Sequence, residues 1–220
     1  MGEYRRGGTT AHLRLRKSPG PSCSLVRDQP EGNEGFALLQ SMLYHSQQIT
    51  THYWLTPLLA WLHRHPGKPS QHYAYLRHLD NHLLCAADER SLIERTRDFL
   101  DNPWHRNPLD CRLLEENLGT RFPHYWFYKM EFVLWYLKSP QMKEKDPRWD
   151  NFRMTAKNSV EHISPQTAQE VDSNTVSEEV LDTFGNLALV SRSINSEYGN
   201  KPFREKRERF RERNNTIPNN

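Results

Sequence analysis

The three cysteines, Cys23, Cys85 and Cys111, never come near a Cys-x-x-Cys spacing. Zinc knuckles and a disulfide framework are therefore excluded, and a scattered, odd set fits a reducing cytoplasm. Long apolar runs are missing too. None reaches the roughly 18–20 residues that span a bilayer, and the N-terminus carries no secretory core. There is no Gly-x-x-x-x-Gly-Lys loop to cradle a nucleoside triphosphate. Charge of one sign is scarce: a formal net charge of +3 and a pI near 8.7 hint only mildly at a polyanionic partner.

What remains is enough for a folded body. The chain of 220 residues, 35% hydrophobic and 26% charged, is polar without being of disordered composition, and has room for one ordinary domain and a smaller one. Residues 1–32, rich in Arg, Gly, Pro and Ser, show no helical or strand periodicity and read as a flexible leader. From 33 to 140 the signal is helical. Phe36, Leu39 and Leu43 recur at helical spacing. Thr56 and Pro57 read as the N-cap and first position of a helix that buries Leu58, Leu59, Trp61 and Leu62. Tyr73, Leu76, Leu79 and Leu83 carry the next helix, and a shorter one is expected over 89–100. The segment FPHYWFYKMEFVLWYLKS predicts a core helix with Trp126, Met130, Val133, Leu134 and Leu137 on its buried stripe.

After a polar connection at 138–151 the periodicity changes. SVEHIS and LALV (187–190) are strand candidates, and SEEVLDTF predicts one or two helical turns capped by Ser177. A strongly basic helix starts at Pro202. The fold class that follows is mainly α, of the α+β kind. A helical domain over 33–140 precedes a small ββα element over 141–213, and a disordered tail covers 214–220.

The chemistry concentrates in VEHISPQ (160–166) and GNLALVSRSIN (185–195). Glu161 offers a hard oxygen ligand, and His162 an imidazole whose ordinary pKa is near 6.5. Asn186 stands just before the second strand, with Asn195 nine residues further on. Hydrolysis of a phosphodiester at neutral pH needs a base for water, a cation for the charge on phosphorus and help for the leaving oxygen. His162 suits the base, while Glu161 and Asn195 suit one Mg²⁺ (or Mn²⁺). Adjacent strand residues point to opposite faces, so Glu161 and His162 converge only if the strand ends or bends, as Pro165 allows.

The runs EHISPQ, GNLALVSRSIN and GNKPFREK resemble the histidine–metal-finger (HNH, or His-Me finger) nuclease domain at the C-terminus of GmrSD-type modification-dependent restriction endonucleases. The likeness covers about Phe36 to Phe210, and its specific part is 160–206. It implies a ββα-metal motif with His162 as general base, Glu161 and Asn195 as metal ligands, and Asn186 pinning the hairpin loop that holds His162. It further implies one-metal cleavage of DNA that leaves 3′-hydroxyl and 5′-phosphate ends. Many such domains have Asp where this chain has Glu161, and many carry zinc-binding cysteine pairs absent here. The 24-residue step from His162 to Asn186 is also longer than in compact members. The implied partner is DNA, including modified foreign DNA. A modification-sensing, nucleotide-hydrolysing part is expected from a separate subunit or an N-terminal domain, and no membrane.

Outside that set, Arg192, Lys201 and Lys206 are the expected contacts to DNA phosphates, although alternating charge also suits a solvated helix face. His78 and His82 have a metal-binding spacing but no visible third ligand, so they read as a solvent-facing pair. The same holds for His63 and His65. Tyr125, Trp126, Phe127 and Tyr128 read as core rather than as a base-stacking platform. Two functions follow. One is a cytoplasmic, metal-dependent DNA endonuclease of a restriction or phage-defence system. The other is a catalytically inactive DNA-binding or partner-docking module derived from such a nuclease.

Overall fold

A computed structural model describes residues 12–17, 20, 23–28, 34–46, 52–66, 69–142, 149, 152–167 and 176–215. The chain is mainly helical, with two small antiparallel strand pairs. It divides into two units whose segments interleave along the sequence: Met1–Leu109 with Tyr128–Thr155, and Asp110–Phe127 with Ala156–Asn220. The boundary expected at 140–141 falls inside the first unit.

The first unit opens with strands β1 (His12–Lys17) and β2 (Cys23–Asp28), paired antiparallel from His12↔Asp28 to Lys17↔Cys23. Both lie in the stretch read as an aperiodic leader. HLRLR within it alternates polar and apolar residues over five positions, a strand period too short to stand out beside the Gly- and Pro-rich flanks. Much of the rest of that leader lies outside the described residues.

Helices α1 (Glu34–Ser46), α2 (Leu55–Arg64), α3 (Pro69–Asp80) and α4 (Leu92–Asp101) follow. Leu39, Met42 and Leu43 of α1 meet Leu76 and Leu79 of α3 in the core, joined by Leu83 and Phe99. α4 starts on a capping box in which Ser91 and Glu94 satisfy each other's backbone N–H groups. α2 begins two residues before the expected first position, so Pro57 is its third residue. A missing N–H costs nothing there, because no carbonyl waits for it in a first turn. Leu59 on α2 is exposed, not buried. α3 runs into a π-helical turn, Asn81–Cys85, beside the buried pair of Asp80 and Lys129. His82 in that turn is buried against Phe99, with its Nδ1 3.3 Å from Asn107 Nδ2. The solvent-facing reading of this histidine is therefore corrected.

Helix α5 (His124–Met142) carries the aromatic cluster, and Tyr125, Trp126, Phe127 and Tyr128 are all buried, as expected of core. Its aliphatic stripe is not: Met130, Val133, Leu134 and Leu137 are exposed. The helix is apolar on every side, so periodicity alone does not choose a face. The larger rings do, and Tyr128, Phe132 and Trp135 occupy the interior at helical spacing.

The second unit contains two 3₁₀ turns, Arg112–Glu115 and Gly119–Arg121, and the start of α5. Strand β3 (Ser159–His162) pairs antiparallel with β4 (Leu187–Val190) in the register Ser159↔Val190 to His162↔Leu187. Between them sit the four-residue helix α6 (Glu178–Leu181) and a 3₁₀ turn, Phe184–Asn186. Ser177 holds the N-cap position of α6, although its side chain makes no capping bond. Helices α7 (Arg192–Tyr198) and α8 (Phe203–Asn215) close the unit, α8 reaching two residues into the expected tail. Residues 216–220 lie outside the described residues, as do 143–148 and 168–175 in the two connecting segments. Val160, Leu187, Leu189 and Tyr198 fill the interior; Phe122 meets Phe184 edge to face, and Phe127 lies tilted against Phe184.

Candidate active site

Strand alternation decides where the Glu-His pair points. Ser159 and Glu161 lie on one face of β3, while Val160 and His162 are the buried alternates on the other. His162 is the last residue of the strand, 6% exposed, and the chain bends directly after it at Ile163 and Ser164. Its Nε2 lies 2.8 Å from Asp182 Oδ1. An ionised carboxylate only accepts hydrogen bonds, so Nε2 carries the proton and Nδ1 the lone pair. Among the described residues nothing bonds to Nδ1, and that atom is not sealed from solvent.

Asn186 is buried and ties the bend shut. Its Oδ1 accepts from Ser164 N–H at 2.9 Å, while its Nδ2 donates to Ser164 O at 3.3 Å and to Leu181 O at 2.8 Å. The backbone adds Ile163 N–H donating to Asn186 O at 2.8 Å. The turn before β4 and the bend after β3 are thus one hydrogen-bonded assembly, with His162 at its rim.

Glu161 lies on the opposite face with Ser159, and Asn195 reaches that face through Ser159. Asn195, in the middle of α7, donates from Nδ2 to Ser159 Oγ at 2.5 Å. Glu161 Oε1 accepts from Lys206 Nζ of α8 at 2.7 Å, and the same ammonium donates to His162 O at 2.7 Å. The structure places Glu161 and the Ser159–Asn195 pair on one face and His162 on the other side of the strand. The imidazole and the oxygen donors straddle the end of β3.

The donor set fits a hard divalent cation. A carboxylate, an amide and the hydroxyl of Ser159 offer oxygen on one face, the ligand type Mg²⁺ prefers, although the Lys206 ammonium already occupies Glu161 Oε1. Among the described residues no three His, Cys, Asp or Glu side chains gather as a metal site. The oxygen set would therefore be completed by water, which Mg²⁺ retains readily.

The basic residues differ in availability. Arg192 is exposed at the first position of α7, with its N–H donating to Asn158 Oδ1 at 3.2 Å, and Lys201 is half-buried before α8. Lys206, expected at the DNA backbone, is 4% exposed and enclosed by Glu161 and the His162 carbonyl. Its place in a charge-alternating helix pointed outward; only the packing of α8 reveals that it turns in. Asp182 is the partner of His162 that the sequence does not announce. It lies 20 residues beyond His162 and four before Asn186, a spacing that carries no signal, and tertiary structure alone makes them partners.

No helix among the described residues is long and apolar enough to cross a membrane. No curated protein and no solved structure matches the chain. The sequence model described as "GmrSD restriction endonucleases, C-terminal domain" matches residues 108–219, slightly more than half of the chain and the whole of the ribbon, its turn and the two helices behind it. The chain belongs to the family of GmrSD restriction endonuclease C-terminal domains.

Proposed function

We propose that this chain is a divalent-metal-dependent DNA endonuclease of the HNH, or His-Me finger, type, working in cytoplasmic defence against foreign and modified DNA. The observation that carries the reading is His162 itself: an imidazole fixed at a strand end, with Nε2 on a carboxylate and Nδ1 open, one residue from a set of oxygen donors. His162 Nδ1 takes a proton from water, the water oxygen bonds to phosphorus, and the P–O3′ bond breaks. The products are a 5′-phosphate and a 3′-hydroxyl, O3′ taking up a proton. Glu161 and Asn195 are the ligands for one Mg²⁺ or Mn²⁺, which when bound stabilises negative charge on the phosphate. Because base and donors straddle the end of β3, the scissile phosphate lies across that end, reached from both faces. Asn186 keeps the bend closed so that His162 stays at the rim. Arg192 and Lys201 bind flanking phosphates. Recognition of the modified base, and any nucleotide hydrolysis, comes from a separate subunit or an N-terminal domain.

The test is incubation of modified and unmodified plasmid with Mg²⁺, Mn²⁺ or chelator. His162→Ala is expected to abolish cleavage while DNA binding and folding persist. Metal-dependent nicking retained by that variant would sink the assigned base.

One observation favours a second reading, a non-catalytic DNA-binding or docking module. Lys206 already neutralises Glu161, so the carboxylate is satisfied without a metal. On that reading the wild-type protein retards DNA in a gel yet yields no metal-dependent product at any ionic strength.

A further inference from the structure

We infer that Asp182 is the positioning residue for His162, and that Gly119 is the seat that makes its placement possible; the inference rests on the reading of His162 as the base. The three residues of the Asp182 segment are each tied down. Leu181 O accepts from Asn186 Nδ2 at 2.8 Å, Asp182 O accepts from Gly119 N–H at 2.9 Å, and Thr183 forms an antiparallel bridge with Asn117. Asn117 adds a second tie, its Nδ2 donating to Glu179 O at 3.3 Å. The backbone is thereby held, and the carboxylate turns from it toward His162.

Gly119 clears that direction. Its φ is +54°, a left-handed conformation that glycine adopts without penalty. A Cβ built on it would stand 2.7 Å from Asp182 Oδ1 and 3.0 Å from Cγ, too close for both to remain. Oδ1 is the oxygen that receives His162 Nε2–H. The space a side chain would occupy at 119 is thus where the carboxylate must sit to hold the imidazole.

The chemical consequence is a fixed tautomer. A neutral imidazole in water exchanges its proton between both nitrogens. With Asp182 accepting at Nε2, the lone pair of the neutral ring stays on Nδ1, to which nothing bonds among the described residues. The carboxylate also stabilises the imidazolium formed once water has lost its proton, as a carboxylate does behind the histidine of a hydrolytic triad. Asp182 itself is 44% exposed on its side chain and touches no phosphate in this scheme.

Three variants test this. Asp182→Asn is expected to lower kcat about 10- to 100-fold, as losing a group that orients a functional histidine commonly does, with KM for DNA unchanged. Asp182→Glu is expected to recover part of the loss. Gly119→Ala displaces the carboxylate without deleting it and is expected to reproduce the kcat defect, with its circular dichroism spectrum retained. Full activity in Asp182→Asn would overturn the inference. A second readout does not need cleavage at all. In ¹⁵N spectra at fixed neutral pH, His162 of the wild type is expected to show a protonated Nε2 and a bare Nδ1, and Asp182→Ala a tautomer mixture. If wild type cleaves no DNA but this shift appears, the dyad stands and the nuclease reading fails. If the spectra of wild type and Asp182→Ala coincide, the dyad fails whatever the activity.

Discussion

Lys206 Nζ sits 2.7 Å from Glu161 Oε1 and 2.7 Å from the carbonyl oxygen of His162, so one buried ammonium links helix α8 to both residues at the tip of β3. The pair is almost dry: 5% of the Lys206 side chain and 13% of the Glu161 side chain remain exposed. Removing one partner of such a pair strands the other in a poorly solvated place. Lys206→Met is therefore expected to destabilise the protein by about 3–5 kcal/mol, and adding Glu161→Gln to restore much of that. Chemical denaturation of the two single variants and the double variant measures the coupling. Additive losses would show that the two groups do not depend on each other.

Asn186 offers a second check, on the bend that carries His162. Its side chain makes three hydrogen bonds to backbone groups of Ser164 and Leu181, all enclosed. Asn186→Ala leaves those groups without partners, at roughly 1 kcal/mol or more each, so a loss of about 2–4 kcal/mol is expected. Thermal melts read it directly. A variant as stable as wild type would mean that Ile163 and Asn186 backbones suffice to close the turn.

The helical unit makes a prediction about acidity. Burial holds His82 below its ordinary value of 6.5 despite the opposing pull of Asp98, and burial, reinforced by Arg106, does the same to His78. Below about pH 6.5 the unfolded chain therefore binds protons that the folded one refuses. Stability from these two groups is complete above that value and is lost as pH falls from it toward the depressed folded-state values. Melting temperature is expected to fall between pH 7.5 and 5.5, and more gently in His82→Leu, which unfolds with about one proton fewer taken up. Parallel pH profiles for wild type and this variant would remove His82 from the account.

Local features were legible where one short pattern had one structural solution. LALV forms β4 over the expected four residues, and SVEHIS supplies β3, because brief β-branched and apolar runs beside turn residues have few alternatives. Choices between equivalent faces were not legible. α5 is apolar all round, so nothing in its period said that Trp135 goes in while Leu137 stays out. Lys206 sits among eight other charges in PFREKRERFRER, and no rule of spacing marks it as the one that turns inward. Asp182 was hidden for a different reason. Its role depends on a glycine in another stretch of the chain, a relation that exists only in three dimensions.

The interleaving of the two units bears on the order in which the protein is made. On a ribosome, residues 110–127 emerge early, yet the bridge from Asn117 to Thr183 and the bond from Gly119 to Asp182 must wait until the intervening chain has followed. Lys206, which locks Glu161, emerges later still. The assembly around His162 is thus completed only after Lys206 has emerged, through contacts of long sequence separation that form slowly. A nascent chain halted near residue 150 would carry the seat for the carboxylate but neither the carboxylate nor the imidazole.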